Sequence, residues 1–181
     1  ERKREMVTLS KEEVETFLEQ IDDVEWHALF KLAFTTGLRR SEILGLTWDD
    51  VNLKQKTLTV NQTVLRINEV TTISKTTKNS SSRRSISLDD KTIAELLKLR
   101  TCVDKRRLKA TNWRNNNLVF PGKFGSPRDP AKVSLKCKKL ATAIGRPDFT
   151  MHDTRHTHAT LLLEAGVNFK VVQMRLGHSS Y

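Results

Sequence analysis

The sequence predicts an α+β domain, mainly α with a small antiparallel β-sheet. Three observations carry this. Apolar residues recur at helical spacing in several separate runs, most of them opened by a capping side chain or closed by glycine. Residues 57–88 change instead to Thr- and Val-rich segments that alternate polar with apolar. The 181 residues, at 37% hydrophobic and 29% charged, are enough for one packed core, which excludes a disordered chain.

Residues 1–9 show no periodicity and read as a linker remnant, leaving 10–181 as the domain. Ser10 caps the first helix. Glu13 completes a capping box, and Val14, Phe17, Leu18 and Ile21 form the apolar stripe. A second helix over about 26–36 buries Leu29, Phe30 and Ala33 and stops at Gly37. A short third covers 41–46. Residues 57–66, 70–74 and 84–88 read as two or three short antiparallel strands, with a polar loop at 75–83. Asp89 or Asp90 caps a long helix that turns Ile93, Leu96, Leu97 and Val103 inward and ends in the basic run 105–109. Leu118, Val119 and Phe120 form a short extended piece. Helices over 130–144, 152–165 and 169–176 follow, closed by Gly145, Gly166 and Gly177.

The net charge is +11, unevenly placed. Residues 1–74 hold 10 basic and 13 acidic side chains, whereas 75–139 hold 18 and 5, net +13. That concentration points to a polyanionic partner, nucleic acid first, against the plainer reading of a solvated basic face. Lys105, Arg106, Arg107, Lys136, Lys138 and Lys139 are the candidate DNA contacts. No apolar run nears the ~18 residues of a membrane span, and no signal peptide is evident. Cys102 and Cys137 build no disulfide framework, so a cytoplasmic setting is expected, with no membrane contact.

The segment Met151-His152-Asp153-Thr154-Arg155-His156 opens a helix, and the i, i+3, i+4 spacing puts His152, Arg155 and His156 on one face. An Arg and a His beside a helix N-terminus suit a phosphate and a mobile proton. A capping cluster with incidental histidines is the structural alternative. Four of the five histidines lie in the last 30 residues, which raises a metal site. The central Glu of the H-E-x-x-H pattern is absent and Arg155 would set a cation beside the ion, so no metal is expected. Arg39, just after a glycine-terminated helix, can reach a cleft with Glu42 holding it.

The combination is more specific than its parts. Arg39, a hairpin lysine, His152-x-x-Arg155 and Leu176-Gly177-His178 resemble, in order and spacing, the tyrosine recombinases of the phage-integrase family. Residues 35–51, including Thr36-Gly37-Leu38-Arg39-Arg40-Ser41-Glu42, resemble the family's first box. Residues 152–179 resemble its second, and the likeness covers about 9–181. It implies the tyrosine-recombinase catalytic-domain fold. It also implies cleavage and rejoining of double-stranded DNA through a 3′-phosphotyrosyl link, without metal, cofactor or ATP. On this resemblance Arg39 and Arg155 stabilise the phosphorane, His152 is the general acid–base and His178 bonds the scissile phosphate. Lys75, or alternatively Lys78, protonates the leaving oxygen, and Glu42 supports the arginines.

The family's nucleophile usually follows the His of the Gly-His pair by about nine residues. Tyr181 follows His178 by three and does not fit, so the expectation is a catalytic domain truncated before its tyrosine, inactive as it stands. The implied whole protein is a bacterial, phage or transposon integrase acting as a tetramer on DNA. A non-catalytic sequence-specific DNA-binding protein is the alternative, with 167–179 as its recognition helix. A metal-dependent nuclease is disfavoured because no carboxylate cluster follows the histidines.

Overall fold

Helix boundaries fall where capping chemistry sets them. In the computed structural model, which describes residues 6–75 and 84–177, α1 (Lys11–Glu19) begins at Ser10. Its hydroxyl accepts from the Glu13 amide while the Glu13 carboxylate accepts from the Ser10 amide. α2 (Val24–Thr36) starts two residues earlier than expected because Asp23 caps it, taking the Trp26 amide at 2.9 Å. α3 (Arg40–Gly45) follows. α4 (Asp90–Lys109) is capped by Asp89, whose carboxylate lies 2.6 Å from the Thr92 amide. α5 (Pro130–Ala143), α6 (Asp153–Glu164) and α7 (Phe169–Leu176) complete the helices.

Nearly every face of α2 is buried, as its run Ala28, Leu29, Phe30, Leu32, Ala33 and Phe34 dictates, and α1, α3, α4 and α6 pack around it. Phe17 meets Phe30 and Phe34 edge-on at 5.2 and 5.4 Å, and Phe149 stacks on Phe34. The inward face of α4 is Thr92, Leu96, Leu99 and Val103. Leu97, expected inside, is 47% exposed, because the steps of four, three and four that make this stripe leave it on the outer side.

The expected small sheet is divided in two. β1 (Val51–Asn52), β2 (Thr57–Thr59) and β5 (Ser85–Ser87) pair antiparallel in the order β1-β2-β5, and β3 (Gln62–Ile67) with β4 (Val70–Lys75) forms a separate hairpin. The run 57–66 breaks at Val60 and Asn61. Val60 is buried and donates its amide to Arg84, and the Asn61 amide group donates to Asp50 at 2.6 Å, so the chain turns from one sheet into the other. Leu9, read as linker, is buried with its amide on the Thr157 hydroxyl, which ties the chain to α6 ahead of α1. The loop reading for 76–83 and the roles of Lys78, His178 and Tyr181 lie outside the described residues. Among the described residues, no helix is long and apolar enough to cross a membrane.

Candidate active site

Gly37 ends α2 in the left-handed region at φ +64°, and a side chain there would meet His158 and Leu176 at 2.6 Å. The turn delivers Arg39 to the start of α3 beside Glu42. The Glu42 carboxylate accepts the Arg39 amide at 2.7 Å and Arg39 Nη1 at 3.0 Å. Arg84, at the foot of β5, completes the set with Nη1 and Nη2 on the two carboxylate oxygens at 3.1 and 2.8 Å. Glu42 and Arg84 are buried, whereas the Arg39 side chain is 48% exposed. Burial works to raise the Glu42 carboxyl, but the hydrogen bonds and charge of Arg84, helped by Arg39, outweigh it and hold the group below its ordinary value.

Arg155, on the first turn of α6, is buried. Its Nη1 donates to the Gly37 carbonyl at 2.9 Å and its Nη2 to the Leu176 carbonyl at 2.6 Å. Two of five guanidinium donors are thereby used to aim the group. Burial, then the charge of Arg39, brings Arg155 down to about 10, so it remains a cation at neutral pH. His152 occupies the position before α6 without a side-chain capping bond and is exposed, and His156 lies edge-on to it with ring centroids 4.8 Å apart. Burial and the neighbouring His152 lower the pKa of His156.

Arg39, His152 and Arg155 line one cleft together with Leu38, Arg40, Ser41, Ser134, Thr150 and Met151. Arg40 is fastened to α5 through Ser134 Oγ and the Pro130 carbonyl. The guanidiniums of Arg39 and Arg155 with the His152 imidazole, on one concave surface, can hold a tetrahedral or trigonal-bipyramidal oxyanion and pass a proton. The backbone of Lys75 pairs with Gln62, whose side-chain amide donates to the Gly45 carbonyl, so the hairpin's end is fixed to α3, which Arg39 immediately precedes.

The expected DNA contacts divide. Lys105, Arg107, Lys138 and Lys139 are exposed and Lys136 is half-buried. Arg106 is turned inward. Its Nη1 lies 3.0 Å from Glu25, which Arg128 also holds, and its guanidinium lies 5.4 Å from the centre of the Trp113 ring. Its place three residues after Val103 and seven after Leu99, on the inner stripe of α4, is the signal that marks it.

Local spacing in the sequence does not mark Arg84, His158 and Arg175, which reach partners 42 to 140 residues away. His158, on the buried side of α6, has Nδ1 2.8 Å from the Phe34 carbonyl and Nε2 3.2 Å from Arg175 Nε. Burial, then the charge of Arg175, draws its pKa down to about 4. An unfolded histidine titrates near 6.5, so the unfolded chain takes up this proton first. Stability is complete above pH about 6.5 and falls as pH drops towards 4, by up to about 3 kcal/mol. Urea melts at stepped pH should show that loss, and His158→Phe should flatten this part of the curve.

The phage integrase family profile matches residues 7–181. The chain is 32% identical, over 97% of its length, to a tyrosine recombinase XerC-like protein of Caldanaerobacter subterraneus subsp. tengcongensis, covering 48% of that relative. It is 30% identical, over 79% of its length, to the integrase of Staphylococcus phage L54a, covering 41% of it. The chain thus spans about half the length of the curated relatives it matches, or less. Among solved structures, the Tn1549 transposon integrase in complex with a circular intermediate DNA has a TM-score of 0.84 at 23% identity, over 99% of this chain and 60% of that one. XerA recombinase gives 0.76 at 23% identity, over 96% and 57%. At these identities the two structures establish the fold.

Proposed function

The chain belongs to the phage integrase family, and from that premise we propose that it is the catalytic part of a tyrosine recombinase that cleaves and rejoins double-stranded DNA at specific sites. The observation that carries this is the convergence of Arg39, Arg155 and His152 on one cleft. A tyrosine oxygen attacks the scissile phosphorus and gives its proton to His152 as general base. The bond from phosphorus to the 5′-oxygen breaks, and that oxygen takes a proton from Lys75 or Lys78. Arg39 and Arg155 carry the charge added to the non-bridging oxygens, and His178 bonds one of them. Glu42 keeps Arg39 aimed. Tyr181, three residues after His178, is not read as the nucleophile. Rejoining is the same path reversed.

The whole protein is read as acting in a bacterial cytoplasm, assembled as a tetramer on paired sites, for a mobile element. The test is a suicide duplex whose nicked strand diffuses away after cleavage. Full-length protein should accumulate a covalent adduct on a single tyrosine. No adduct at all would remove this reading, whereas an adduct on Tyr181 would remove only the view that Tyr181 is not the nucleophile.

Two expectations separate the roles of the basic residues. Lys75→Ala should be rescued by DNA with sulfur at the bridging 5′ position, since a thiolate leaves without a proton. Rescue of Lys78→Ala instead would move the role there. DNA affinity should fall steeply with salt: roughly five neutralised phosphates give a slope of about −4.5, or about 500-fold between roughly 50 and 200 mM. Lys138→Ala should reduce that slope by about 0.9. Arg106→Ala should leave it unchanged and lower stability, because its guanidinium serves Glu25. Titrations at several salt concentrations check both.

A further inference from the structure

The arginine that holds the phosphate is itself held by two carbonyls, and one of them, Leu176, belongs to the last turn of α7. What fixes that turn is a polar relay remote from the cleft lining. Arg175 sends Nη1 to Ser87 Oγ at 3.0 Å, and Nη2 to the Ser87 carbonyl at 2.9 Å and the Thr35 carbonyl at 3.1 Å. Its Nε points at His158 Nε2. The same turn is gripped from another side by Arg84 Nε on the Arg175 carbonyl at 2.9 Å. α7 has just eight residues and leaves Phe169, Val171 and Met174 exposed, so apolar packing on Val172 and Leu176 alone fixes it loosely.

We infer that His158 and Arg175 are positioning residues for the phosphate-binding site: His158 aims Arg175, and Arg175 locks the last turn of α7 against α2 and β5, which fixes the carbonyl that orients Arg155. The Phe34 carbonyl needs a donor, so it selects the tautomer with the proton on Nδ1 and leaves Nε2 as the acceptor for Arg175. Thr35 and Gly37, two residues apart at the end of α2, then receive Arg175 and Arg155 respectively, so one helix end registers both guanidiniums.

This rests on the recombinase reading, and its test is built to fail separately. In full-length protein, His158→Phe keeps an aromatic ring and removes both the Nδ1 donor and the Nε2 acceptor. It should slow single-turnover cleavage at saturating DNA roughly 10- to 100-fold per folded molecule, the scale of a small misplacement of a reacting group, with DNA affinity within about twofold. His158→Gln, which restores an acceptor, should recover most of the rate. Arg175→Lys, which cannot span Ser87, Thr35 and His158 together, should not. The double variant His158→Phe with Arg175→Lys should be no slower than the worse single one, as one unit requires. Nitrogen-15 spectra of the wild type should show His158 protonated on Nδ1 at neutral pH, whether or not any variant folds. Wild-type rates in His158→Phe, additive losses, or a proton on Nε2 would each overturn the inference. Absence of cleavage by the wild type would instead overturn the recombinase reading and leave the tautomer result to decide this one.

Discussion

Arg155→Ala should lower the rate of covalent-complex formation by at least roughly 10²–10³-fold, the worth of a preorganised donor to a developing oxyanion. The loss should be greater than for a surface cation because the side chain is buried and aimed by the Gly37 and Leu176 carbonyls. Lysine should recover little. An ammonium keeps the charge, but it cannot bridge two carbonyls and still present a planar pair of donors to a phosphate. Arg39→Lys should be milder in its effect on folding, since that side chain is half exposed and bound to Glu42 by a single guanidinium contact. Single-turnover trapping at saturating DNA measures the rate, and a parallel melt separates it from folding.

The second large effect is on stability. Glu42→Ala should cost about 3–5 kcal/mol, because it strands Arg84 as a buried cation and removes the cap on the Arg39 amide. Glu42→Gln keeps the shape and should cost less, though it loses the charge that the bidentate contact uses. The folded carboxyl titrates below its ordinary 4.5, so the unfolded chain binds the proton first. Its contribution is whole above about pH 4.5 and is lost as pH falls through the folded value. The wild type should therefore lose stability in acid in two stages, first through His158 and then through Glu42. Urea midpoints for the wild type, Glu42→Gln and His158→Phe across that range would separate the stages.

Local chemistry explains what the sequence made legible. Ser10, Asp89 and Gly37 act within three or four residues of themselves, so the helix ends at these positions follow from neighbours. Arg39, Glu42, His152 and Arg155 were legible because a short turn or a helical step relates the members of each pair, and the family resemblance supplied the link between pairs. What stayed hidden depends on distant partners. Arg84 reaches back 42 residues to Glu42 and forward 91 to Arg175, and nothing near it announces either. Arg175 closes on Thr35 across 140 positions. The break in the strand run at Val60 and Asn61 answers to Arg84 and Asp50, so alternation alone read one strand where the fold makes two. Arg106 was different: its register with Leu99 and Val103 was available, and the adjoining basic residues obscured it.

Arg39 and Arg155, both lining the cleft, are held by groups of different kinds. Arg39 leans on a carboxylate, which a proton can silence. Arg155 leans on carbonyls at the C-terminal ends of α2 and α7, each end equivalent to roughly half a negative charge. Those carbonyls have no protonation state at any pH, although Glu42 also favours the Arg155 cation through its charge. As acid weakens Glu42, Arg39 loses its anchor while Arg155 keeps its own. On the proposed function, a scissile phosphate would then meet one guanidinium whose direction is set by a titratable group and another whose direction is written into the backbone.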